Sequence, residues 1–150
     1  MKILSSNDDG VHAPGLDVLG EIARHFSDDI WICAPDEEQS GMGHALTLTR
    51  PVRLRRHGER RFSVTGTPTD SVTMGLRKVM DGEPDVILSG VNRGANLGDD
   101  ITYSGTVSAA IEGALAMVKK KNPHLMNLEE LEKQFESEES LLFQNQKTQN

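Results

Sequence analysis

The sequence predicts an α/β fold: a mostly parallel sheet with helices on both faces and one small β-hairpin. Three observations carry this. Residues 2–5, 30–34 and 84–89 are short apolar runs of strand length, the form taken by strands buried on both faces. Stretches with apolar residues at helical spacing lie between them. A polar loop leaves the end of each run: SSNDDG after the first, DEEQSG after the second, SGVNRGAN after the third.

In chain order, residues 2–5 form the first strand. Residues 15–26 (GLDVLGEIARHF) place Leu16, Leu19, Ile22, Ala23 and Phe26 at helical spacing. The buried second strand, 30–34, stops at Pro35, and a polar, glycine-bearing loop covers 36–44. Residues 52–64 (VRLRRHGERRFSV) partly alternate around His57-Gly58, which predicts a hairpin. GTPTD (66–70) is a turn before a helix over 71–80. The buried third strand, 84–89, leads into a glycine-rich loop over 90–105. Residues 106–118 (TVSAAIEGALAMV) are small and apolar, a helix able to pack closely on a sheet. Beyond it, Asn127 with Glu130 has capping-box spacing, which predicts a helix over 127–142, with 144–150 disordered.

The 150 residues suffice for one domain with a real core. Apolar content is 36% and charge 26%, and no run reaches the roughly 18 apolar residues of a membrane span. Asn7, Asp8 and Asp9 arrive before a signal peptide's apolar core could form, so a cytoplasmic location is expected. Cys33 is alone and lies in an apolar run, where a buried, inert thiol is expected. A net charge of −7 argues against general nucleic-acid binding. It leaves room for a small anionic substrate, because a bound cation inverts the local field.

In parallel sheets ligands collect at the carboxyl ends of the strands, where the three polar loops meet. On a strand Asp8 and Asp9 would point to opposite faces, but in a loop they can converge. Converging carboxylates need protonation or a cation, and hard oxygens suit Mg²⁺, Mn²⁺ or Ca²⁺. Ser40 and Asn92 offer neutral oxygens from the other two loops. NDDG taken alone reads more simply as a solvated turn. The loop SGVNRGANLGDD, followed by Tyr103-Ser104-Gly105-Thr106 at a helix start, reads either as an anion cradle or as an N-cap with glycines for close packing. GTPTD reads as a turn and helix cap with Asp70 in the first turn. The arginines at 50, 53, 55, 56, 60 and 61 read mostly as a solvated hairpin face, with one or two of them able to touch a nucleotide. The five histidines lack paired metal spacing, although His12 and His44 lie in polar loops near the converging ends. No dinucleotide fingerprint, P-loop or Gly-x-Ser-x-Gly elbow occurs. The Asp-x-Asp spacing of haloacid-dehalogenase phosphatases is also missing from Asn7-Asp8-Asp9-Gly10.

Four segments together resemble a known family. NDDG, SGxxxxLT (40–47), GTPxDxV (66–72) and SGxNxGxNxGxDxxYSGTVxAAxEG (89–113) are similar to the survival protein E (SurE) family of metal-dependent 5′-nucleotidases, over about residues 1–117. The resemblance implies a three-layer, Rossmann-like sheet. It implies that Asp8 and Asp9 are catalytic and bind one divalent ion, Mg²⁺ or Mn²⁺, with Ser40 and Asn92. It places Asn96, Ser104, Gly105 and Thr106 around the phosphate of a nucleoside 5′-monophosphate. A chain that binds metal or nucleotide without turnover is the alternative. Residues 1–118 are the expected domain. Residues 119–150 diverge from the family, whose remaining strands and oligomerising hairpin are not matched. The homo-oligomer that the family implies is therefore not expected here.

Overall fold

A computed structural model describes residues 1–121, so the helix expected over 127–142 and the end at 144–150 lie outside the described residues. Met1–Ala116 form one compact unit, and Met117–Asn150 a second, of which only the last turns of one helix are described. The strands are β1 (Lys2–Ser6), β2 (Asp29–Pro35), β3 (Leu54–Arg56), β4 (Arg61–Val64) and β5 (Val86–Ser89). The helices are α1 (Pro14–Arg24), α2 (Pro68–Met74) and α3 (Gly105–Lys121). One sheet holds all five strands in the order β3-β4-β2-β1-β5.

β1 is parallel to both its neighbours: Ile3 pairs with Ile30 on one side and with Val86 on the other. β2 runs parallel to β4, with Pro35 opposite Val64. Among the described strands only β3 is antiparallel, Leu54 facing Val64. The expected hairpin is therefore real, but it extends the main sheet and shortens to residues 54–64. Because β1, β2 and β5 point the same way, the loops that follow them leave from one edge.

Successive strand residues face opposite sides, and the core divides accordingly. On one face Leu4, Cys33, Val64, Val72 and Ala109 are buried, with Trp31, Phe62, Met74 and Ile87 packed against them. On the other, Val11, Leu16, Leu19 and Ala34 are buried, joined by Ile32 and Leu88. Helices on both faces are thus what the sheet carries, as the sequence predicts.

α1 starts with Pro14 in its first turn, where a missing N–H is harmless. It buries Leu16, Leu19, Gly20 and Ala23. Ile22 and Phe26, read as part of the same stripe, are 45% and 67% exposed. At about 100° per residue Ile22 lies about 120° round the helix from Leu16, and Phe26 falls beyond the last turn.

Three further readings are corrected. β5 is half-buried along its whole length, not buried, because it is an edge strand paired only with β1 among the described residues. The helix expected over 71–80 begins at Pro68, since Thr67 caps it, and after Met74 it widens into a π-helical turn, Gly75–Val79. The glycine-rich loop contains a 3₁₀ turn, Gly98–Tyr103, where no regular structure was expected. No helix among the described residues is long and apolar enough to cross a membrane.

Leu4 is fully buried on β1, an interior strand of the sheet. Leu4→Ala is expected to lower unfolding free energy by about 2–5 kcal/mol in a urea melt. Burial also pushes the Cys33 thiol up from its ordinary value of 9.0 to about 12. The unfolded thiol ionises first as pH rises, so the stability this burial contributes is intact below about 9 and is lost between about 9 and about 12. At pH 8, alkylation of native Cys33 by iodoacetamide, followed by mass spectrometry, should be slower than in the denatured chain by about a thousandfold.

Candidate active site

β1 ends in Asn7-Asp8-Asp9-Gly10, and Asn7 explains why the turn holds its shape. Its amide donates to the Gly10 carbonyl at 3.2 Å, and its Oδ1 accepts from the Gly10 N–H, also at 3.2 Å. Gly10 has φ +103°, a conformation that residues with a Cβ rarely adopt. Asn7 is buried, so the turn is closed from within and the two aspartates stand at its tip.

Asp8 is only 4% exposed. Its Oδ1 accepts a hydrogen bond from the Thr106 hydroxyl. Gly105, the first residue of α3, lies so near that a Cβ there would sit 2.6 Å from the Asp8 Cβ. Glycine at 105 is what allows α3 to begin against this carboxylate. Asp9 points elsewhere: its Oδ2 accepts from the Arg93 backbone N–H at 3.0 Å. The two carboxylates therefore hold two different elements, Asp8 the start of α3 and Asp9 the loop after β5.

Asn92 joins the Asp8 end. Its Oδ1 lies 3.1 Å from the Thr106 hydroxyl. That hydroxyl has one proton and stands between two acceptor oxygens, so one of them is left short of a donor. No ion pair among the described residues involves Asp8 or Asp9. Nor do three or more His, Cys, Asp or Glu side chains gather at one point among the described residues. Asp8 and Asn92 present oxygen donors of the kind a hard divalent cation takes, with the Asp9 carboxylate on the adjacent residue.

Ser104 is buried and caps α3: its Oγ accepts from the Val107 N–H at 3.3 Å and from the Asn96 amide at 2.9 Å. With two bonds accepted, its single proton remains for a further acceptor. Ser104, Gly105 and Thr106 occupy the start of a 17-residue helix, where free N–H groups and the dipole favour an anion.

Ser40 stands apart. It is exposed, and its hydroxyl donates to Glu38 Oε1 at 2.9 Å. Its loop still reaches the turn, since the Gln39 N–H donates to the Asp8 carbonyl at 2.8 Å. So Asp8, Asn92 and Thr106 come together, Asp9 stands beside them on Arg93, Asn96 sits on Ser104, and Ser40 contributes its backbone neighbourhood but not its hydroxyl. His44 pairs with Glu112 at 3.0 Å, while the His12 ring lies edge-on to His57 on the hairpin. Sequence reasoning missed Asn7 as the lock of the turn; an asparagine three residues before a glycine was the available signal. It also missed Arg93, whose contribution is a backbone N–H and so leaves no mark in the sequence.

The architecture and the edge define a class: an open, mostly parallel α/β sheet with its polar loops gathered at the carboxyl ends of the strands, where such sheets bind ligands. Comparison with known proteins narrows it. The family model for Survival protein SurE matches residues 3–121. The 5′-nucleotidase SurE of Erythrobacter litoralis is 72% identical over 120 residues, 79% of this chain and 48% of that protein. That of Rhizorhabdus wittichii is 68% identical over 117 residues, 77% and 46% of the two chains. The crystal structure of the SurE protein from Aquifex aeolicus matches with a TM-score of 0.72 at 44% identity, covering 77% of this chain and 47% of that one. The chain belongs to the survival protein SurE family. It spans about half the length of the curated relatives it matches.

Losing the Asn7 side chain would orphan the buried Gly10 N–H. Asn7→Ala is expected to destabilise the fold by about 1–3 kcal/mol in urea unfolding.

Proposed function

We propose that this chain is a metal-dependent phosphohydrolase that removes phosphate from nucleoside 5′-monophosphates in the cytoplasm. The observation that carries the reading is the Thr106 hydroxyl between Asp8 and Asn92, one proton for two acceptors at the start of α3. Asp8, Asp9 and Asn92 would hold one divalent ion, Mg²⁺ or Mn²⁺, with Ser40 as fourth donor once its hydroxyl leaves Glu38. The bound ion supplies neutralising charge for phosphoryl oxygens and lowers the pKa of a bound water. Asn7 keeps both aspartates at the turn's tip. The start of α3 receives the phosphate: the Gly105 and Thr106 N–H groups face an anion, the Ser104 proton donates to it, and Asn96 holds the Ser104 oxygen in place. The relatives' name, 5′-nucleotidase, supports a nucleoside monophosphate as the substrate.

A second reading, binding without turnover, draws on one observation: the chain spans about half of each curated relative. Phosphate release from AMP and other nucleoside monophosphates decides between them. With Mn²⁺ or Mg²⁺ present, turnover is expected, with loss on adding EDTA and a fall of at least about a hundredfold in Asp8→Asn and in Asp9→Asn. A folded chain that binds Mn²⁺ but releases no phosphate would overturn the first reading in favour of the second.

A further inference from the structure

The loop over 36–48, which carries Ser40, has no helix or strand of its own, so its shape must be imposed from outside. Near Ser40 the ties are the Gln39 N–H to Asp8, the Gly43 N–H to the Tyr103 carbonyl at 3.1 Å, and His44 to Glu112. The loop's far end is held differently, by the motif GTPTD.

GTPTD forms a complete capping box on α2. The Asp70 N–H donates to Thr67 Oγ1 at 3.1 Å, and the Thr67 N–H donates to Asp70 Oδ2 at 2.9 Å. A cap needs nothing more. Yet both side chains reach past the box to the loop. Thr67 Oγ1 donates to the Ala45 carbonyl at 2.6 Å. The Thr47 N–H donates to the Asp70 carboxylate, 3.2 Å from Oδ1 and 3.3 Å from Oδ2. Asp70 is 6% exposed, and a Cβ on Gly66 would lie 2.5 Å from its Oδ2, so residue 66 must be glycine for the carboxylate to sit there. An ionised carboxylate can accept from two N–H groups that approach from different segments. An asparagine accepts on one oxygen only and turns an NH₂ towards the other donor.

We propose that Thr67 and Asp70 clamp the loop that carries Ser40, and that Asp70 is a positioning residue for the divalent-ion site. The inference rests on the reading that Ser40 joins Asp8, Asp9 and Asn92 around a cation. The clamp acts through the loop alone, because Asp70 bonds the backbone of Thr47 and Thr67 and none of the four proposed ligands.

The test compares the full 150-residue chain with Asp70→Asn, which keeps one oxygen for the Thr67 N–H and loses the acceptor for Thr47. Amide hydrogen exchange reads the loop, and an EPR titration with Mn²⁺ reads the site. The clamp predicts exchange at least about tenfold faster over 36–48 in Asp70→Asn, with β1 and β2 unchanged, and Mn²⁺ affinity lower by about tenfold. Unchanged loop exchange and unchanged Mn²⁺ affinity would overturn it. So would a uniform loss of protection, which a purely structural cap gives. Should Asp70→Asn not fold, Thr47→Pro removes the loop's N–H while leaving the box whole, and the same two readouts decide. A wild-type chain that binds no Mn²⁺ would overturn the metal reading, and loop exchange would still decide the clamp.

Discussion

Asp8 lies just past the end of β1, with its carboxylate almost out of water. Such a group destabilises a fold unless hydrogen bonds or an opposite charge meet it. Here the chain brings a hydroxyl from α3, 98 residues away, and sets the first residue of that helix against the aspartate. That approach fixes where α3 starts, and α3 in turn lays Ala109 on the face of the sheet shared with Leu4 and Cys33. The same constraint fixes the loop after β5, whose Asn92 meets the shared hydroxyl and whose Arg93 N–H meets Asp9.

Around this contact the structure relies on backbone donors and on short polar side chains rather than on ion pairs. Asn7 closes its own turn, Ser104 caps α3, and Thr67 with Asp70 caps α2 while reaching the loop over 36–48. Each such bond contributes on the order of 1 kcal/mol net, but each also removes a buried group that would otherwise be unsatisfied. Of the ion pairs among the described residues, Arg24 with Glu21 lies on exposed ground, where screening leaves it little to contribute, while Arg55 pairs with Asp36 just past β2.

The sequence determined much of this. Apolar runs of strand length marked β1, β2 and β5, although β5 is only half-buried at the edge of the sheet. Helical spacing fixed α1, and the small residues of α3 marked its close packing on the sheet. Parallel strand direction then forced NDDG, DEEQSG and SGVNRGAN to one edge. Tertiary structure decided the rest. It made β5 an edge strand, turned Ile22 outward, and drew the hairpin into the main sheet, since each depends on which neighbours an element finds rather than on its own residues. It bonded the Ser40 hydroxyl to Glu38 while seating Thr106 between Asp8 and Asn92. It also gave Asp70 its second partner, Thr47. A motif states which donors and acceptors are available, but a hydrogen bond between segments far apart in the chain forms only where packing brings them within about 3 Å.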